Sequence, residues 1–147
     1  MTAATAPVSL DHIIAVFEHL SADGLDALDT IYAADTWFKD PFNEVTGRDA
    51  VRRIFAHMFV ALAEPRFVVC ERAQNGADAL LVWEMQFRFR AGRPRGPQVI
   101  RGATHLRRDA HGRIVRHRDY WDAAEELYEK LPLVGSLMRG LKRLAHG

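Results

Sequence analysis

The chain has 147 residues, 48% hydrophobic and 27% charged, which is ordinary for one soluble globular domain large enough to bury a core. Its formal net charge of +1 is too small to attract nucleic acid or an anionic membrane electrostatically, so we expect neither as a partner. The single cysteine, Cys70, excludes an intramolecular disulfide. Because residues 1–9 lack a signal-peptide pattern and no apolar run is long enough to span a bilayer, we expect a cytoplasmic protein.

Helical periodicity predicts three helices in the first part of the chain. Ser9 is a suitable N-cap for the first helix. Its apolar stripe comprises Leu10, Ile13, Ile14, Phe17 and Leu20. The second helix carries on one side Leu25, Leu28, Ile31 and Tyr32. After an extended segment at 36–41 and a turn at 43–47, the third helix begins near Gly47 or Asp49 and is closed by Pro65. Its apolar face comprises Val51, Ile54, Phe55, Met58, Phe59 and Leu62.

After Pro65 the pattern changes to that of strands. Four segments with β-branched, aromatic or alternating residues are separated by turn or loop sequences, and they cover 66–73, 79–90, 98–108 and 113–121. The tail from Asp122 is helical, with an interruption at Pro132. These elements predict a single α+β domain over 1–147, in which three helices close over a curved antiparallel sheet and a helical tail covers about 122–147.

Two carboxylates lie in short apolar, aromatic segments. Asp40 lies within Phe38-Lys39-Asp40-Pro41-Phe42, and Asp119 lies within Arg118-Asp119-Tyr120-Trp121. An ionised carboxylate in apolar surroundings is costly unless it is paired, and burial raises a carboxyl pKa toward the range where it exchanges protons near neutrality. The two segments therefore suggest an acid–base pocket, and they do not identify its substrate.

Each carboxylate also has a structural interpretation. Strand alternation places Asp40 on the same side as Phe38, yet an Asp-Pro pair equally caps a turn by accepting backbone N–H groups. Alternation places Asp119 on one face with His117 and Trp121, where His117 and Asp119 can form a hydrogen-bonded proton-transfer pair. The alternative for Asp119 is an ion pair that holds neighbouring strands together.

Several of these segments resemble a known superfamily. The order of elements, Asp40-Pro41 followed by Gly47-Arg48-Asp49-Ala50-Val51, and the final strand through Asp119-Tyr120-Trp121-Asp122 resemble the nuclear transport factor 2-like, or SnoaL-like, superfamily. The resemblance covers the chain up to about residue 125 and implies a cone-shaped fold. That superfamily includes ketosteroid isomerases, limonene epoxide hydrolase and polyketide cyclases, and one fold hosts many functions.

The resemblance also implies roles for individual residues. Asp40 matches the general base of ketosteroid isomerase, and Asp119 resembles the aspartate that activates water or acts as acid–base in the epoxide hydrolases and cyclases. The sequence departs from the isomerase at both donors of the oxyanion hole. The first helix offers Val16 and Phe17 instead of a tyrosine, and the position of the second donor falls near Thr104. The arginine–aspartate pair of the hydrolases has no clear counterpart.

We therefore predict a domain that binds an apolar small molecule and acts as a cofactor-independent acid–base enzyme of the isomerase, cyclase or hydrolase type. The predicted catalytic residues are Asp119, Asp40 and His117. The predicted substrate-binding residues are Phe17, Tyr32, Phe38, Phe55, Phe59, Trp83, Met85, Phe87 and Trp121. No histidine set has metal-ligand spacing, so no metal and no cofactor are predicted. The alternative is a noncatalytic ligand-binding or dimerising module whose carboxylates are structural.

Two further surfaces carry predictions. The outer sheet face mixes charges with Val82, Ile114 and Tyr120, which favours a homodimer through the sheet, as is frequent in the superfamily that the chain resembles. The tail forms a basic amphipathic stripe through Leu133, Val134, Leu137, Met138, Leu141 and Leu144. Such a segment can lie on a membrane surface, but we expect it to close over the mouth of the cone.

Overall fold

The computed structural model describes residues 4–90, 95–128 and 132–146. The predicted loop at 92–97 lies partly outside the described residues. The helices are α1 (Leu10–Glu18), a 3₁₀ helix (Ala22–Thr30), α2 (Arg48–Ala61), α3 (Ala123–Glu126) and α4 (Pro132–Ala145). The strands are β1 (Tyr32–Lys39), β2 (Glu44–Thr46), β3 (Leu62–Asn75), β4 (Asp78–Phe89), β5 (Gln98–Arg108) and β6 (Ile114–Tyr120). The α+β class and the curved sheet packed against N-terminal helices are confirmed.

Local sequence explains where the first elements begin and end. The Ser9 side chain accepts a hydrogen bond from the His12 amide and so caps α1, as predicted. The second predicted helix is a 3₁₀ helix that ends at Thr30, so the placement of Ile31 and Tyr32 on it was wrong. Tyr32 instead begins β1, where it pairs with Ile114 of β6 and its side chain is fully buried.

The six strands form one mixed sheet in the order β2-β1-β6-β5-β4-β3. Neighbouring strands are antiparallel except β1 and β6, which are parallel, so the expectation of a wholly antiparallel sheet was wrong. The predicted turn at 43–47 contains the short strand β2, which pairs with β1 through Phe38 and Val45. The parallel register places Phe38 beside His117, which brings the two segments that carry the predicted aspartates together.

A bulge in β6 changes which side chains face the core. Arg107 pairs with Arg116 and Arg108 pairs with Ile114, so Val115 is the extra residue. The prediction that Ile114 lies on the outer face was therefore wrong: its side chain is fully buried. After the bulge the alternation holds, because His117 is buried and Tyr120 is exposed. Val82 is also exposed on the outer face.

The closure of the tail over the cone stays a prediction, because the structure describes only part of the tail stripe. Within α4, Leu137, Leu141 and Leu144 are exposed. The side chains of Leu133, Val134 and Met138, which complete the predicted stripe, lie outside the described residues. Among the described helices, none combines the length and apolar character needed to cross a lipid bilayer.

Candidate functional site

A cavity of about 550 Å³ lies between the concave face of the sheet and α2. Its walls are mostly apolar. The apolar lining residues from β4 are Leu81, Trp83, Met85, Phe87 and Phe89. Those from α2 include Ala50, Ile54, Phe55, Met58 and Ala61. Leu127, just after α3, also lines the cavity, so the start of the tail contributes to it. A space of this size and polarity is typical of a small-molecule site.

Asp119 and His117 meet at the sheet wall of this cavity. His117 Nε2 donates a hydrogen bond to Asp119 Oδ1 over 2.7 Å. The His117 side chain is 4% exposed, whereas that of Asp119 is 17% exposed. Among the described residues no hydrogen-bond partner of Asp119 Oδ2 is present, and no arginine or lysine lies within ion-pair distance of this carboxylate. One oxygen of Asp119 is thus held by the protein, and the other is available to a ligand.

Thr104 makes a second hydrogen bond to Asp119 Oδ1. Its register on β5 is directly opposite Asp119, and its hydroxyl donates to Asp119 Oδ1 over 2.5 Å. The hydroxyl in turn accepts a hydrogen bond of 2.7 Å from Trp83 Nε1. Because an indole N–H only donates, the direction of both bonds is determined. The chain from Trp83 through Thr104 therefore orients the carboxylate, and Thr104 is a member of the site that the strand pattern alone did not identify.

Tyr32 lies on the far side of the imidazole from Asp119. It is fully buried, and its hydroxyl is 2.7 Å from His117 Nδ1. Burial, and then the nearby negative charge of Asp119, raise the pKa of Tyr32 well above its ordinary value, so the phenol remains protonated. The Tyr32 hydroxyl and the Asp119 carboxylate thus hold the His117 ring at its two nitrogens and fix its orientation.

Asp40 also lines the cavity, but it is engaged locally. Its Oδ1 accepts hydrogen bonds from the backbone amides of Phe42 and Asn43, over 2.8 and 2.7 Å. The Asn43 side chain donates to both carboxylate oxygens. This is the turn-capping arrangement that an Asp-Pro sequence allows. Asp40 and Asp119 each lie one residue beyond the pair Lys39–Arg118, and both line the cavity.

The cavity brings together most of the residues predicted for ligand binding. Those that line it are Phe17, Phe38, Phe55, Trp83, Met85, Phe87 and Trp121. Tyr32 lies behind His117 and is not part of the lining. Phe59 is also absent from the lining, because at 100° per residue it lies about half a turn of α2 away from the face that presents Ile54 and Ala61.

Two polar residues of α2, Arg53 and His57, line the cavity without having been predicted to do so. Both side chains are exposed to solvent as well as to the cavity. Their spacing of four residues was the available indication that they share a face. In the part of the chain that the structure describes, no three histidine, cysteine or acidic side chains are grouped so as to hold a metal ion.

Comparisons with known proteins agree with this architecture. Residues 13–117 match the family model of the SnoaL-like domain. No curated protein matches the chain. Among solved structures, the chain is similar to a hypothetical protein with a ketosteroid isomerase-like fold from Catenulispora acidiphila, which was crystallised with trimethylamine. The identity is 21% and the TM-score 0.71, over 87% of this chain and 96% of that one.

Two other solved structures are similar at the level of the fold. One is an LEH-like epoxide hydrolase of M. tuberculosis, with 15% identity and a TM-score of 0.67, over 90% of this chain and 91% of that one. The other is a protein assigned as a SnoaL-like polyketide cyclase from Shewanella denitrificans, with 15% identity and a TM-score of 0.68, over 82% and 93% of the two chains. At these identities the similarity concerns the fold, while the chemistry must be argued from the site.

Proposed function

We propose that this chain, which belongs to the SnoaL-like domain family, binds an apolar small molecule in its cavity and acts on it as a cofactor-independent acid–base enzyme of the isomerase, cyclase or hydrolase type. The observation that carries the proposal is the Asp119 carboxylate, which has one oxygen held by Thr104 and His117 and the other accessible from an apolar cavity. A positioned carboxylate of this kind removes a proton from a carbon acid or from water and returns it.

The surrounding groups give Asp119 a defined orientation. Because both hydrogen bonds converge on Oδ1, the proton-accepting atom is Oδ2. Tyr32 engages the other ring nitrogen of His117 and so holds the ring toward Asp119. His117 is accordingly a hydrogen-bond donor that stabilises the carboxylate, and Tyr32 and Thr104 are positioning residues.

The competing interpretation, a binding module with structural carboxylates, explains Asp40 better than Asp119. Both Asp40 oxygens accept hydrogen bonds at the turn, so protonating this residue in a reaction would weaken the turn. For Asp119 the expected structural role was an ion pair between neighbouring strands, and among the described residues no arginine or lysine lies within ion-pair distance of it. We therefore assign the proton transfer to Asp119 and give Asp40 a secondary place at the cavity wall.

The test is a screen for bound and exchanged ligands. The purified protein is incubated in D₂O with a panel of apolar ketones and epoxides, and binding is detected by native mass spectrometry. We expect at least one bound ketone to gain deuterium next to its carbonyl, or one epoxide to open, with the wild-type protein and not with Asp119→Asn. Ligands that bind while no compound exchanges or opens would contradict the enzymatic proposal and favour the binding module.

A further inference from the structure

Arg53 and His57 are two nitrogen-bearing side chains that line the cavity from α2. They lie four residues apart on α2, both are exposed, and both line the cavity. Neither takes part in an ion pair or hydrogen bond within the described part of the chain, whereas the neighbouring Arg52 pairs with Asp26 and Asp29. An arginine that faces an apolar cavity without an acidic partner is available to a ligand.

We propose that Arg53, assisted by His57, binds a carboxylate carried by the apolar substrate. This inference rests on the proposed function and adds the chemical class of its substrate. Arginine presents a planar fork of donors that matches the two oxygens of a carboxylate. The apolar body of such a substrate would occupy the space between α2 and β4, while the part that reacts lies at Asp119 on the sheet wall.

The charges lining the cavity favour a singly charged ligand. Asp40 and Asp119 line the same space as Arg53 and His57. A dianionic group such as a phosphate would be attracted to Arg53 but repelled more strongly than a monoanion by the two carboxylates of the cavity. A monoanion that is held at the helix wall gains the interaction with Arg53 and stays away from Asp119. The expected ligand is therefore an apolar acid and not a phosphate ester.

The experiment measures displacement of the uncharged fluorescent probe N-phenylnaphthylamine by three ligands of similar shape: naphthoate, methyl naphthyl ketone and naphthyl phosphate. We expect Arg53→Gln to raise the inhibition constant of naphthoate about tenfold and that of the ketone less than twofold. Arg53→Lys should fall between the wild type and Arg53→Gln, because it keeps the charge and loses the fork. Arg66→Gln is the matched control, since Arg66 is exposed on β3 and does not line the cavity.

The outcomes separate this inference from the proposed function. If Arg53→Gln weakens the binding of naphthoate and of the ketone equally, or weakens the binding of neither, Arg53 does not bind the carboxylate. Naphthyl phosphate binding more tightly than naphthoate would overturn the choice of a monoanion. If the wild-type protein fails to bind the uncharged probe, the apolar site itself is absent, and the proposed function fails together with the inference.

Discussion

Two buried threonines of this sheet should respond in opposite ways to replacement by valine. Thr104 is 3% exposed and takes part in two hydrogen bonds, one to Asp119 and one from Trp83. Thr36 is fully buried, and its hydroxyl oxygen has no hydrogen-bond partner among the described residues. The change from threonine to valine preserves shape in both places, so the difference in stability isolates the hydroxyl.

The structure sets the expected size of the effect. Thr104→Val removes a bond to a carboxylate and leaves the N–H of Trp83, which is 6% exposed, without an acceptor. Together these losses should lower the free energy of unfolding by about 3 kcal/mol. Thr36→Val removes a hydroxyl that makes no bond, so the free energy of unfolding should be unchanged or rise by up to about 1 kcal/mol.

Urea unfolding followed by circular dichroism measures both variants. With a slope of about 2 kcal/mol per molar, the midpoint of Thr104→Val should fall by about 1.5 M while the slope stays constant. Thr104→Ser keeps the hydroxyl and should recover most of the lost stability. Equal midpoints for Thr104→Val and Thr36→Val would refute the hydrogen-bond chain from Trp83 to Asp119.

Three other changes probe the turn, the sheet and the surface. Asp40→Ala removes the acceptor of the turn amides and should lower the free energy of unfolding by about 1 kcal/mol, whereas Asp40→Asn should cost less, as thermal unfolding will show. In Gly102→Ala the new methyl would lie 2.6 Å from the ring of Trp83, so the indole must move; we expect a shifted tryptophan emission and a loss of about 2 kcal/mol or more. The hydrogen bond with His105 lowers the pKa of Asp78 from its ordinary 3.8, so this stabilisation is present above the unfolded pKa and is lost as pH falls through the folded pKa. The melting temperature of Asp78→Asn should therefore fall less between about pH 5 and pH 2 than that of the wild type. An equal fall for both proteins would count against the hydrogen bond between Asp78 and His105.

The parts of the fold that follow from local pattern were predictable from the sequence. The bounds of β5 agree with those predicted, and α2 and β4 agree within a few residues, because apolar periodicity reports which side of an element is buried. The same alternation placed His117 and Asp119 on one face of β6. It failed at Ile114, because a bulge shifts the pattern by one residue and leaves no mark in the composition of the strand.

The parts that depend on pairing between distant segments were not predictable from local pattern. The parallel pairing of β1 with β6 joins residues about eighty positions apart, and no local sequence pattern near Tyr32 indicates it. The role of Thr104 follows from the β5–β6 register, which puts it opposite Asp119. A threonine is common in strands, so the strand pattern did not identify it, although the resemblance had placed Thr104 near the second oxyanion-hole donor of the isomerase.

The most direct test of Asp119 as the proton acceptor uses a small model carbon acid, so the natural substrate need not be known. Nitrobenzisoxazole is small enough for the cavity, and a carboxylate base opens it by taking its ring C–H proton while the N–O bond breaks to give a coloured cyanonitrophenolate. The wild-type protein should accelerate this reaction, Asp40→Asn should retain most of the rate, and Asp119→Asn should lose at least about a hundredfold. Asp119→Asn should also melt within a few degrees of the wild type, because its amide oxygen can still accept from Thr104 and His117. Equal rates for wild type and Asp119→Asn, or a rate that depends on Asp40 instead, would contradict the assignment of Asp119 as the proton acceptor.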